Sequence, residues 1–586
     1  VSKDQAKESI ASRSQSAKED EMADEREVSR RLSRKDFVKG AAALAGAGAL
    51  ASCGPAATPA PTAAPAETAE PCPTCAPATE CPPCPTASLP EEWDYEADVV
   101  VVGYGGAGAV TAIVAHDAGA EVLVLEKAPE GFEGGNSSVS GGTIYTPVGL
   151  EASVTYLNAM SDGYPISEEM VRTWAEWMSE NAEFLRGLGA ELLPRSFAVY
   201  PELGEEPKYP ISGYPEFPEL PGGESAAAWR VAEPDTFGRG GPNLWDFIKP
   251  QVEEERGITV LYETPGKQLV QDAVTKEILG VMAGTATGEV YVKARRAVVL
   301  TCGGFENSRE MQRDFLTNLP EVYPRGTPYN TGDGIKMAMA VGADLWHMMN
   351  IAGPMINYKP PDVDYVLTLS PKEQNFIYIG PDGTRFDDEH VHLRHGKEEW
   401  EGVWVPSPAR APMYCIFDET VREAGRVVTP SGSGWTYKAE YMWSEDNSAE
   451  IASGLISQAD TIAELAGKID VDPHVLEAEV ETYNGFCDAG EDLEFHRDPE
   501  TLKRIETTPY YAMPLAASML NTQGGARRNA KAQIVDTSGS PIPRLYSAGE
   551  LGSLYSYMYN GGGNVGECVA FGRIAGQNAA AEEPWA

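Results

Sequence analysis

Residues 97–127, ADVVVVGYGGAGAVTAIVAHDAGAEVLVLEK, leave little freedom in the architecture around them. Four consecutive valines, Val99–Val102, predict a strand buried on both faces, as in a parallel sheet covered by helices. The chain then turns through Gly103, Gly105 and Gly108 into an alanine-rich helix, and Val122–Leu125 predict a second strand ending in Glu126 and Lys127. Each part has a physical task in binding a dinucleotide. Gly103 permits the tight turn, while Gly105, Gly106 and Ala107 bring backbone amides up to a pyrophosphate at the helix N-terminus. Gly108 lets the helix lie close to the strand, and Glu126 stands where a carboxylate accepts from a ribose hydroxyl.

The rest of the chain is too long for one core. Its 586 residues predict two folded domains plus appendages, and a formal net charge of -42 without a basic patch excludes nucleic acid as the expected partner. Arg30-Arg31, then Ser33-Arg34-Lys35-Asp36-Phe37, precede an apolar run, Ala41–Leu50, that falls short of the roughly 20 residues of a membrane-spanning helix. The pattern is that of a twin-arginine export signal with Lys35 in place of the second arginine. Leu50-Ala51-Ser52-Cys53 resembles a lipoprotein processing box, which makes Cys53 the expected lipid anchor and the outer face of the cytoplasmic membrane the expected location. Residues 54–92, rich in Pro, Ala and Thr, predict a stalk. Its pairs Cys72/Cys75 and Cys81/Cys84 have metal-like spacing but only five residues between them, leaving local disulfides, free thiols or a metal as readings. No metal is expected in the body either, since His390, His392 and His395 lack helical i, i+4 placement.

Downstream, Gly134-Gly135-Asn136-Ser137 and Gly141-Gly142 form a small, polar loop able to lay amides along a flat ring system. With the fingerprint before it, this resembles the fumarate reductase and 3-ketosteroid dehydrogenase superfamily of FAD enzymes, over approximately residues 95–586. The resemblance implies an α/β fold, a Rossmann-like FAD-binding domain (93–344 and 508–586) carrying an inserted α+β cap over 345–507, after the signal (1–53) and stalk (54–92). It implies noncovalent FAD, because Asn136 and Ser137 stand where covalent members carry histidine. Further cofactor contacts implied are Gly303 and Gly304 after a strand, Asp333 as a helix N-cap or cofactor contact, Gly549 with Glu550, and Asn564 with Val565 at the start of a last helix.

For the chemistry, the resemblance implies hydride transfer between flavin N5 and a carbon–carbon bond conjugated to a carbonyl. Tyr559 and Gly563 match by spacing the hydroxyl and N–H that hold a ketone oxygen in ketosteroid dehydrogenases. Tyr214 matches either an active-site tyrosine or a packing residue, and Lys372 lies near the arginine acid of fumarate reductases, with Tyr378 as a rival. The dicarboxylate-binding histidines and arginines of fumarate reductases are replaced by Gly353, Asn521 and Asn560, which argues against fumarate itself. Enone or enoate reduction is the leading expectation. Δ1- or Δ4-ketosteroid dehydrogenation is the alternative within the family; a noncatalytic electron-transfer flavoprotein and a nicotinamide-dependent dehydrogenase are those outside it. A monomer drawing electrons from a membrane quinol or a cytochrome completes the expectation.

Overall fold

The computed structural model describes residues 89–194, 214–232, 243–317, 319–389, 394–432 and 434–585. The export signal, Cys53, the four stalk cysteines, His390 and His392 lie outside them.

The valine run forms strand β1 (Tyr95–Val102), followed by helix α1 (Gly106–Asp117) and strand β2 (Val122–Leu125). β1 is central because its side chains are apolar on both faces: Val99, Val100 and Val101 have no solvent exposure. It pairs in parallel with β2, placing Val101 opposite Val124, and on its other side with β3 (Gly288–Leu300), where Val101 faces Val299. β4 (Tyr510–Met519) belongs to a different sheet, whereas β5 (Pro541–Ser547) returns to pair in parallel with β3, Val298 opposite Leu545. The resulting order is Gln533–Val535, β5, β3, β1, β2, Thr259–Leu261, with Gly266–Gln271 and Ile278–Thr285 folded onto β3.

Helix α2 (Gly563–Ala581) ends the fold and packs along α1. Its Gly572 and Gly576 sit so close that a Cβ would stand 3.0 Å from the Ala107 carbonyl and 2.8 Å from that of Thr111. Cys568 lies against Gly106, Gly572 against Val110 and Gly576 against Val114, so the helices run in the same direction. Their N-termini therefore open at one end of the sheet, the carboxyl end of β1, where ligands of such sheets bind.

The second sheet is built on β4. Residues 510–515 pair with Met413–Asp418, which pairs in turn with Phe376–Ile379, and residues 516–519 pair with Val322–Pro324 and Met355–Asn357. The sheet thus joins strands of the expected cap, 345–507, to residues 322–324 and all of β4 on either side of it. YYAMPLAASM contains proline, a signal against an interior strand. Pro514 is tolerated because β4 has a neighbour on one side only at that point.

Beneath this sheet Arg385 bridges Glu389 (2.9 Å) and Asp492 (3.0 Å), and Arg497 reaches Glu389 at 3.1 Å, all four side chains fully buried. Glu389 is thus committed to two guanidiniums. Among the described residues no group of His, Cys, Asp and Glu is arranged to hold a metal, and no helix is long and apolar enough to cross a membrane.

Candidate active site

At the carboxyl end of β1 a cleft of about 760 Å³ is walled by Gly103, Gly105, Gly106 and Ala107 on one side and by Glu126 and Lys127 on another. Gly103 needs to be glycine twice over: its φ is +103°, and a Cβ would stand 2.6 Å from the Thr301 carbonyl oxygen. Gly108 does not face the cleft. A Cβ there would meet the Gly103 carbonyl oxygen at 2.1 Å, so it sets the distance between turn and helix as expected. The second glycine loop is laid beside the first, Gly134 N–H donating to the Tyr104 carbonyl at 2.9 Å. Gly135, Asn136 and Ser137 then line the cleft, while Gly134 is covered by Trp245.

The Glu126 carboxylate is 7% exposed and accepts from the amides of Tyr104 and Ala128, each at 2.7 Å. Burial raises its pKa and the two amides oppose that rise, fixing the carboxylate at the rim of the cleft. Lys127 Nζ bonds Asp333 and Thr331 Oγ1, both at 2.6 Å. Asp333 lines the cleft, but its expected capping role is corrected: Gly332, at φ +79°, is the N-cap, and Asp333 is the first residue of the helix Asp333–Ala340. Gly303, Gly549 and Glu550 also line the cleft; Gly304 is packed against Thr522 and Glu306 instead.

A group absent from the sequence reading sits at the inner end. Asn136 Nδ2 donates to Glu306 (2.8 Å) and to both oxygens of Glu550 (3.2 and 3.1 Å), and Asn330 Nδ2 donates to Glu306 at 2.7 Å. Burial raises the pKa of both carboxyls, and the charge of Glu306 raises that of Glu550 further. A carboxyl with a raised folded-state pKa stabilises the fold below its unfolded value and loses that contribution as pH climbs through the folded value. We therefore expect the thermal midpoint of the FAD-free protein to fall as pH rises above the ordinary carboxylate range, and to fall less in Glu306→Gln. Parallel pH profiles in the two proteins would show that Glu306 carries no such linkage.

Asn136, Ser137, Glu550 and Cys568 also line a second cavity of about 1340 Å³, which runs on to the N-terminus of α2. Gly141, Asn564 and Val565 line it; Gly142 does not. Tyr559 and Tyr214 both reach it. The Tyr559 hydroxyl accepts weakly from the Asn564 amide at 3.5 Å, and burial raises its pKa. Tyr214 is likewise held protonated by burial.

Two expected catalytic groups are displaced. Gly563 is outside the cavity wall and donates its N–H to the Asn560 carbonyl at 3.0 Å, because it starts α2 after the turn at Gly562. Lys372 is exposed beside Gly425 and lines neither cavity. Tyr378 is buried in the strand Phe376–Ile379, also away from both. Of the positions read as replacing dicarboxylate ligands, Asn521 lines the second cavity and Gly353 packs against the Ser518 carbonyl.

Besides Glu550, Cys568 and the tyrosines, the charged or titratable groups that face this cavity are Arg325, Glu216 and His395. Arg325 follows the strand Val322–Pro324 directly, its N–H held by the Met519 carbonyl and its carbonyl by the Trp435 N–H. Its guanidinium donates to Thr368 Oγ1 at 2.8 Å, and burial of the side chain lowers its pKa, although arginine remains cationic. Tyr437 stands alongside. No pattern in YPRG marked Arg325, and His395 was weighed as a metal ligand only.

The donors and the space fit an FAD. The adenosine end has the Gly105–Ala107 amides and Glu126; the ring end has the amides opening α2; and Asn136 and Ser137 offer no covalent attachment. A family model described as FAD binding domain matches residues 98–565. Digoxin reductase of Eggerthella lenta is 27% identical over 541 residues, spanning 84% of this chain and 89% of that protein. Urocanate reductase of the same organism is 28% identical over 513 residues, spanning 84% and 76%. The crystal structure of 3-ketosteroid delta1-dehydrogenase from Sterolibacterium denitrificans has the same fold, with a TM-score of 0.66 at 23% identity over 83% of this chain and 99% of that one. The open conformation of a flavocytochrome c3 fumarate reductase gives 0.58 at 25% identity over 83% and 78%. With the fingerprint glycines, Glu126 and the start of α2 all inside the matched stretch and around connected cavities, the chain belongs to this family of FAD-binding proteins.

Proposed function

We propose that the protein is an FAD-dependent reductase of a carbon–carbon double bond conjugated to a carboxylate. The observation that carries this is Arg325 at the wall of the larger cavity. A bound FAD supplies hydride chemistry at N5. The chain's part is to hold the substrate and to place charge and proton. Arg325 brings a guanidinium, one arm of it held by Thr368 Oγ1, to the wall a carboxylate would face, and negative charge on those oxygens grows as the β carbon is reduced, so the cation binds the transition state more tightly than the ground state. Tyr559, kept neutral by burial, adds a hydroxyl to the same wall. A relative named for urocanate reduction supports the reading. The tyrosine–glycine pair suited to a ketone oxygen is not assembled, since the Gly563 N–H is already bonded to Asn560. One guanidinium also fits a monoanion better than the dianion that fumarate is.

The test is anaerobic. Protein reduced with light should be reoxidised by urocanate or cinnamate and not by androsta-1,4-diene-3,17-dione; the reverse pattern would overturn the carboxylate reading. We also propose that the chain is exported and lipid-anchored at Cys53, and that a membrane quinol or cytochrome reduces it. A Cys53→Ala protein that stays in the membrane fraction would count against the anchor.

A further inference from the structure

The large cavity holds a pair of titratable side chains that the reduction as proposed above does not use. His395 Nδ1 lies 2.5 Å from Glu216 Oε2, with the two side chains 11% and 9% exposed. Both line the cavity. Glu216 is itself fixed from three directions: its Oε1 accepts the Gly561 N–H at 2.8 Å, its own N–H donates to Asn560 Oδ1 at 3.0 Å, and its Oε2 takes the imidazole. Asn560 and Gly561 immediately precede α2, so the carboxylate is bolted to the segment that opens the helix. The imidazole meets the Tyr559 ring edge to face, with ring centroids 4.8 Å apart.

The backbone is bent to achieve this. His395 has φ +46°, in the left-handed region that non-glycine residues seldom occupy, and Gly396 follows at +74°. Gly396 needs that freedom, because a Cβ would stand 2.1 Å from the Gly353 carbonyl carbon. Arg394 pairs with Glu219 one step before, so the cap segment is clasped to the 214–220 loop at two successive residues. The histidine is thereby held by both halves of the molecule at the wall of the cavity.

We propose that His395, oriented by Glu216, gives the proton to the α carbon of the substrate; the assignment rests on the reductase reading above. In the balanced step the π bond is lost, the β carbon accepts a hydride from the reduced flavin, and the α carbon accepts a proton from Nε2. A bound reduced FAD would supply the hydride's two electrons and would end oxidised, while the imidazolium ends the step as a neutral imidazole that solvent reprotonates. Glu216, as the partner of Nδ1, fixes the orientation of the ring and leaves Nε2 for the substrate, as a carboxylate does for a catalytic histidine elsewhere. Glu216 is a positioning residue. Tyr559 and Tyr214 are poorer donors, because burial holds each phenol well above its usual range.

The experiment compares wild type, His395→Gln and Glu216→Gln as FAD-loaded proteins, reduced anaerobically and mixed in D2O with cinnamate, with urocanate and with the dienone. H395Q should keep its FAD content and its photoreduction. Its reoxidation by the active compound should slow about 100-fold, the lower end of what a positioned general acid contributes. Deuterium at the product's α carbon should occupy one face in wild type and both faces in H395Q. E216Q should lose about tenfold in rate at unchanged KM, with Glu216→Asp recovering part of it. Wild-type rate with single-face deuteration in H395Q would overturn the assignment while leaving the reductase reading intact. If none of the three compounds reoxidises wild type, the reductase reading falls and this assignment falls with it.

Discussion

Arg325→Met should slow reoxidation of the reduced protein by an unsaturated carboxylate by at least about 30-fold, because removing one partner of a buried, hydrogen-bonded charge pair costs on the order of 2–5 kcal/mol. The loss should appear more in kcat than in KM. A carboxylate bound in the ground state already carries a charge, but the hydride-accepting carbon pushes further density onto the same oxygens, and only that increment separates turnover from binding. Arg325→Lys separates charge from shape. It keeps a cation and loses the two parallel N–H groups, so it should recover roughly a tenth of the wild-type rate or less. Most FAD should be retained in both, since Arg325 does not line the cleft that holds Glu126 and the fingerprint amides. The measurement is stopped-flow reoxidation under anaerobic conditions. A methionine variant that turns over like wild type would remove Arg325 from the site and with it the reason for preferring a carboxylate over a ketone.

What could be read without the structure was set by local backbone demands. Val99–Val102 can lie only where both faces are covered, and Gly103 and Gly108 are required by contacts within a few residues or with the residue that follows the strand alongside. The Asn136 loop and the Gly549-Glu550 step were legible through resemblance, because a ring system lying on backbone amides excludes large side chains. The rest depended on closure of distant segments. Arg325 becomes a cavity residue only because Val322–Pro324 adds to β4, nearly 200 positions later in the chain. The His395–Glu216 pair exists only where two loops from different halves meet, and nothing in the spacing of either announces the other. Lys372 was misplaced for the same reason: a match by position along a loop says nothing about whether the side chain reaches a cavity or solvent, and Lys372 is exposed. Gly563 was read correctly as the start of a helix and wrongly as a free donor, because the turn at Gly562 directs its N–H back onto Asn560.

Two alanine substitutions in the fingerprint should separate cofactor binding from folding. In Gly108→Ala the new methyl would stand 2.1 Å from the Gly103 carbonyl oxygen and 2.9 Å from Thr301 Oγ1. Neither partner can retreat: Gly103 is pinned by the Leu125 carbonyl at 2.8 Å, and Thr301 Oγ1 bonds the carbonyls of Val102 and Gly103 at 3.1 and 2.7 Å. Helix α1 must therefore move away from β1. Overpacking of this kind costs about 1–3 kcal/mol or more, and it also shifts the Gly106 and Ala107 amides on which a pyrophosphate would rest. G108A should lower the thermal midpoint of the FAD-free protein and leave the purified protein largely without FAD. Gly105→Ala is different in kind. Its backbone, at φ −101° and ψ −168°, accepts any residue, and the methyl would meet only the Gly134 carbonyl at an ordinary 3.5 Å. FAD-free G105A should melt like wild type yet bind FAD more weakly, because the methyl faces the cleft where the backbone must be approached closely. Calorimetry of the FAD-free proteins and titration with FAD read the two quantities separately. Equal FAD affinity in G105A and wild type would mean that the diphosphate does not pass over Gly105, and the nucleotide would have to lie elsewhere in the cleft.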